Sequence, residues 1–115
     1  MAKKPRARRR SPAPTAEYRD AEGNILRLRE TLSPGSVRAI KRAPVGAAAS
    51  ADDAWRRRAE MLFERLAVSW EIAGLPLEDQ KLLLGRYRMA DSDTQRWVQR
   101  TIASHVERFF PELGN

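Results

Sequence analysis

Glu60, Glu64 and Glu71 share one strip when residues 52–73 are projected as a helix. Three carboxylates on one strip are the raw material of a metal site. Arg56 and Arg57 are interleaved with them, so the expectation is a solvated, ion-paired face. His105, the one histidine of the chain, stands at the margin of an apolar stripe. No nucleophile or acid is spaced to use it, so it is expected to be a partly buried packing residue. One histidine and no cysteine exclude a multi-histidine or thiolate metal site, a disulfide framework and a cysteine nucleophile within one chain. No phosphate-binding Walker sequence, glycine-rich dinucleotide loop or HExxH motif occurs. No catalytic residue, metal or cofactor is therefore expected, and neither is an enzyme.

Phosphate binding is the chemistry that remains. The stretch KKPRARRR, residues 3–10, holds Lys3, Lys4, Arg6, Arg8, Arg9 and Arg10, whereas the whole chain has a formal net charge of +7. Residues 1–16 contain these six bases and no acid; residues 17–43 hold six basic and four acidic residues, and residues 44–115 ten and eleven. The excess charge thus belongs to an arm, and the remainder is nearly neutral. Six bases can neutralise phosphates and release counterions, giving affinity that is salt-sensitive and blind to sequence. Arg38, Lys41 and Arg42 form the basic edge of a short helix and are expected to add to it. Trp97 lies off the apolar stripe of its helix beside Arg100 and Arg108. It could stack on a base or anchor a partner, although such a tryptophan more often covers the edge of a core.

A helix-turn-helix would be the natural companion of a basic arm. A turn at Gly85 would require apolar residues near positions 88 and 91, which are Arg88 and Asp91. A break at 90–92 makes the preceding helix too long and starts the next with Asp93, which repels phosphate. That motif is not expected.

The elements that must carry these residues follow from local signals. Residues 1–16, with three prolines and no large apolar side chain, are expected to be a disordered arm. In 17–43, Asp20 can begin a type I turn and Gly23 can take the left-handed position, making a β-hairpin with Leu26 and Leu28 on one face and Arg27 and Arg29 on the other. The rival is a helix capped by Asn24 with Ile25, Leu28 and Leu32 on its face. Ser33-Pro34 opens a short helix to about Arg42. Residues 44–51 read as a linker. Three helices follow in 52–113: from about 52 to 73, opened by a capping box at Ser50 and stopped at Gly74; from about 77 to 90; and from a second box at Ser92 to Pro111. The fold class expected is mainly α: a three-helix antiparallel unit preceded by a short β-hairpin, a short helix and the arm.

In the first of the three helices, Trp55, Ala59, Leu62, Phe63, Leu66, Trp70 and Ala73 form one stripe, and Met61, Val68 and Ile72 fall on nearly the opposite side. In the second, Leu82 and Met89 point away from Leu83, Leu84 and Tyr87. With Trp97, these residues are expected to be covered by the 17–43 unit, by a second copy in a homodimer, or by another protein partner. No apolar run approaches the roughly 18 residues of a membrane span. Ser11-Pro12-Ala13-Pro14 after the bases fits neither a secretory nor a twin-arginine signal, so the expected location is cytoplasmic, with no membrane partner. The leading expectation is a non-enzymatic DNA-associated accessory or regulatory protein, with non-specific nucleic-acid binding by the arm. The alternative is a protein-interaction adaptor that uses the second apolar face and has no nucleic-acid role.

Overall fold

A computed structural model describes residues 14–42 and 51–113. Residues 1–13, most of the expected linker and the Ser50 cap lie outside them. The elements run β1 (Thr15–Arg19), β2 (Ile25–Arg29), α1 (Pro34–Arg42), α2 (Ala51–Leu66), β3 (Ala67–Ile72), β4 (Leu75–Leu77), α3 (Gln80–Met89), α4 (Ser92–Phe109) and a 3-10 turn, Pro111–Leu113. The strands form one antiparallel sheet in the order β1-β2-β3-β4. The expected mainly-α, three-helix unit is thereby overturned: the described residues form four helices and a four-stranded sheet. Strands contributed from both sides of residues 43–50 pair with each other at the centre of that sheet, β2 against β3.

The first hairpin replaces the rival helix at Asn24. Asp20 Oδ1 accepts from the N–H groups of Glu22 (2.8 Å) and Asn24 (3.0 Å), and Gly23, at φ 83°, donates to Asp20 O. This is a type I turn closed by a glycine bulge. The strand begins at Thr15, inside the stretch expected to be a free arm, with Thr15 opposite Arg29 and Ala16 opposite Leu28.

The long helix expected over 52–73 ends at Leu66, and Ala67–Ile72 is a strand. Val68, Trp70 and Ile72 are β-branched or aromatic, the residues that suit a half-buried pleated surface. β2, with Leu26 and Leu28 fully buried, also needs a partner on its second edge for its backbone groups. Ala67 pairs with Leu28 and Ser69 with Arg27, so Val68 is the extra residue of a bulge. Ala73 (φ 52°) and Gly74 (φ 80°) form the two-residue connection to β4. Gly74 is therefore half of a hairpin turn and not the end of a helix.

One face of the sheet presents Tyr18, Leu26, Leu28, Ala67 and Trp70 to the helices. Against it pack Leu62, Phe63 and Leu66 of α2, Leu83 and Tyr87 of α3, and Val98, Ile102 and Val106 of α4. Phe63 is the hub, stacked on Tyr87 (centroids 5.1 Å apart) and edge-on to Trp70 (5.8 Å). Ile40 of α1 and Leu113 of the 3-10 turn close the end of this core. Trp55, placed on the core stripe by periodicity, is exposed and lines a cleft of 310 Å³ with Leu62, Val106 and Leu113.

Acidic and hydroxyl caps hold the helix starts. Ser33 Oγ accepts from Ser36 N in α1 (3.1 Å), and Asp79 Oδ1 accepts from Lys81 N and Leu82 N in α3. α3 accordingly begins after Asp79, not at about Leu77. The cap of α4 is Asp91, accepting from Thr94 N at 2.7 Å, and not Ser92. That bond is the chief reason the Asp91 carboxyl titrates below its ordinary range. The Gln95 amide, expected in a capping box, instead donates to Tyr87 O and Arg88 O, tying α4 to the end of α3.

Candidate functional site

The second face of the sheet carries its arginines. Because Leu26 and Leu28 point inward, Arg27 and Arg29 of β2 lie on the other face with the buried Ile25, as do Thr15, Glu17 and Arg19 of β1. Arg27 bridges Glu17 (2.8 Å) and reaches Ser69 Oγ (3.4 Å), which fixes the three on one face. Arg19 and Arg29 have no ion-pair partner among the described residues. Arg19, Arg27 and Arg29 against Glu17 and Glu71 leave this face positive. The alternation in the sequence already sets Arg27 and Arg29 opposite Leu26 and Leu28, but not as a site; the pairing of β2 with β1 adds Arg19 to their face.

The same end of the sheet brings three basic segments into sequence neighbourhood. Pro14 O accepts from Glu30 N at 3.0 Å, so the chain leading from the bases at 3–10 joins the sheet beside the exit of β2. α1 starts four residues after Glu30. Arg38, Lys41 and Arg42 are exposed on it, within about 12 Å of its start along the axis. Lys3, Lys4, Arg6, Arg8, Arg9 and Arg10 lie outside the described residues.

The residues expected to form a second apolar face are divided. Met61, Ile72 and Trp97 are half-buried and pack against the core, and Val68 is half-buried at the bulge. Val68 and Ile72 stand on a strand, so the opposed helix faces expected for residues 61–72 do not exist. Leu82 and Met89 are exposed, and they line a groove of 740 Å³ with Ile72, Trp70, Leu77 and Gly85. Trp70 is buried and its indole N–H has no acceptor among the described residues.

The glutamate strip is likewise dispersed: Glu60 pairs with Arg88 at 2.5 Å, and Glu71 lies on β3 opposite Ile25. Among the described residues no group of three or more acidic or histidine side chains could hold a metal ion. α3 runs through Gly85 without a break, so no turn exists there for a helix-turn-helix. His105 is fully buried, not marginal. Its Nε2 lies 2.7 Å from Arg29 O and its Nδ1 2.6 Å from the Tyr18 hydroxyl. A carbonyl can only accept, so Nε2 carries the proton and Nδ1 accepts from Tyr18. Burial pushes the imidazole below its ordinary range and the Tyr18 phenol above its own. Both groups are thus held neutral as a structural link. No described helix is long and apolar enough to cross a membrane.

No family model, curated protein or solved structure matches this chain.

Proposed function

We propose that this is a non-enzymatic, DNA-associated accessory protein of the cytoplasm. In this reading the six bases of residues 3–10 hold duplex phosphates, and Arg38, Lys41 and Arg42 extend the contact along α1. The observation that carries the reading is the joint made by Pro14 and Glu30, which feeds the basic segment into the sheet four residues ahead of α1. Arg19 and Arg29, on the same face and without an ion-pair partner among the described residues, supply further positive charge on the strands that this joint connects. Contacts of this kind release counterions and read no base edges, so affinity without sequence preference follows.

The test is a salt titration of duplex binding by the full chain and by a variant lacking residues 1–13. Loss of six phosphate contacts should flatten the slope of log affinity against log salt by up to about five. Equal affinity and equal slope for the two proteins would sink the reading. A protein-binding role is favoured by a separate observation, the exposure of Leu82 and Met89 beside a groove, and concerns the other side of the sheet.

A further inference from the structure

We propose that α3 is a dimerisation helix: the α3 of one copy of this chain lies in the groove of a second copy, and the reverse, about a twofold axis near Gly85. Two of the exposed large apolar side chains line this groove, Leu82 (58 % exposed) and Met89 (88 %), and a third, Leu75 (74 %), pairs on β4 with Ile72, which also lines it. Leu82 and Met89 are seven residues apart, two helical turns along one stripe, with Gly85 between them. The groove beside them is floored by Ile72 and Leu77.

Gly85 is the second observation. It lies inside a helix, where glycine is unfavourable relative to alanine. A Cβ at this position would meet nothing within 4 Å, and its φ is not left-handed. Neither a turn nor packing among the described residues requires a glycine. What it provides is bare backbone between two exposed apolar side chains, where a second helix can approach closely.

Charge selects the occupant. Lys81 and Arg86 line the groove from α3, and neither has an ion-pair partner among the described residues. Glu22, from the first hairpin turn, and Asp91, ahead of α4, line it from outside that helix. The helix that fits is therefore basic, with apolar residues two turns apart and a small residue between. α3 itself has that description. An antiparallel pairing centred at Gly85 and Arg86 sets Leu82 of one copy opposite Met89 of the other, twice. It also carries Lys81 and Arg86 toward the other copy's Glu22 and Asp91. Such reciprocity is what a twofold interface demands. The interface uses none of residues 1–13 and lies on the opposite face of the sheet from Arg27, so it stands independently of duplex binding.

The experiment is sedimentation equilibrium on the full chain, without nucleic acid, over a range of concentrations, with circular dichroism on every variant. The expected species is a dimer of the 13.1 kDa chain. The double variant Leu82→Glu, Met89→Glu changes two exposed side chains, so it should keep its helicity and sediment as a monomer. Gly85→Leu places its Cβ in open space among the described residues and improves helix propensity, so its helicity should not fall, yet the dimer should weaken by at least about tenfold. Arg86→Glu should weaken the dimer, and adding Glu22→Arg should restore it. A wild-type chain that stays monomeric at its highest soluble concentration overturns the proposal. So does a dimer that Gly85→Leu and the double glutamate variant leave unchanged, since its interface would then lie elsewhere.

Discussion

The hydroxyl of Tyr18 donates to Nδ1 of His105 at 2.6 Å, joining the edge strand of the sheet to the middle of α4 across 87 residues of sequence. The other ring nitrogen donates to the Arg29 carbonyl, so one imidazole ties α4 to both strands of the first hairpin. Phe109 and Phe110 flank the ring, at centroid distances of 4.8 and 6.0 Å. Tyr18→Phe removes only the donor and leaves a buried nitrogen unpaired. It should cost about 1–3 kcal/mol, measured by urea denaturation. A change below about 0.5 kcal/mol would show that the nitrogen finds another donor.

The same imidazole makes the fold acid-sensitive. Burial, helped by the charge of Arg108, depresses its titration below the ordinary 6.5, while the Arg29 carbonyl and Glu30 oppose this. The unfolded chain therefore binds a proton at a higher pH than the folded one. Stability from this group is complete above about pH 6.5 and falls as pH drops through the folded value. Urea midpoints of the parent should decline from about pH 7.5 to about pH 5 more steeply than those of His105→Gln, which has no imidazole to protonate. Parallel profiles would assign the acid sensitivity to other groups.

Ala73 occupies the left-handed region at φ 52°, where an L side chain crowds its carbonyl. Its N–H is accepted by Asn24 Oδ1 at 3.1 Å, which holds the two hairpin turns together. Ala73→Asn creates the Asn-Gly pair that two-residue turns favour and should stabilise by about 1 kcal/mol. The thermal midpoint should rise by about 4–8 °C, whereas Ala73→Val should lower it.

Two truncations separate the basic segment from the sheet. Removing 1–13 takes away no described residue and should shift the thermal midpoint by less than about 2 °C. Removing 1–16 also deletes Thr15 and Ala16, which pair with Arg29 and Leu28. That midpoint should drop by more than about 4 °C. Equal midpoints would mean that the first two residues of β1 contribute nothing.

Asp20 and Gly23 made the first hairpin legible in the sequence, because turn chemistry is local. The opening of α1 at Ser33-Pro34 was legible for the same reason. The passage from α2 to β3 was not. Trp70 stands four residues after Leu66, so a period of 3.6 reads smoothly through the point where the chain becomes extended. The signal that decides for a strand is the vacant edge of β2, and that is a tertiary fact. The full burial of His105 is not legible for the same reason, since its partner Tyr18 lies at the far end of the chain. Of the candidate interface, Leu82 and Met89 were legible from their helical phase alone. Arg27 and Arg29 are legible as the hairpin face opposite Leu26 and Leu28, but their membership of a wider sheet is not, because β3 reads as helix by period.

The pairing of β2 with β3 also dictates an order of assembly. Both hairpins close over short distances, whereas the partners in the central pair are about forty residues apart and carry the larger loop-closure entropy. Each hairpin therefore forms before the sheet is joined along its middle. A chain cut within residues 43–50 would yield two fragments, each bearing half of that seam. Their recombination would report directly on the joining of that seam.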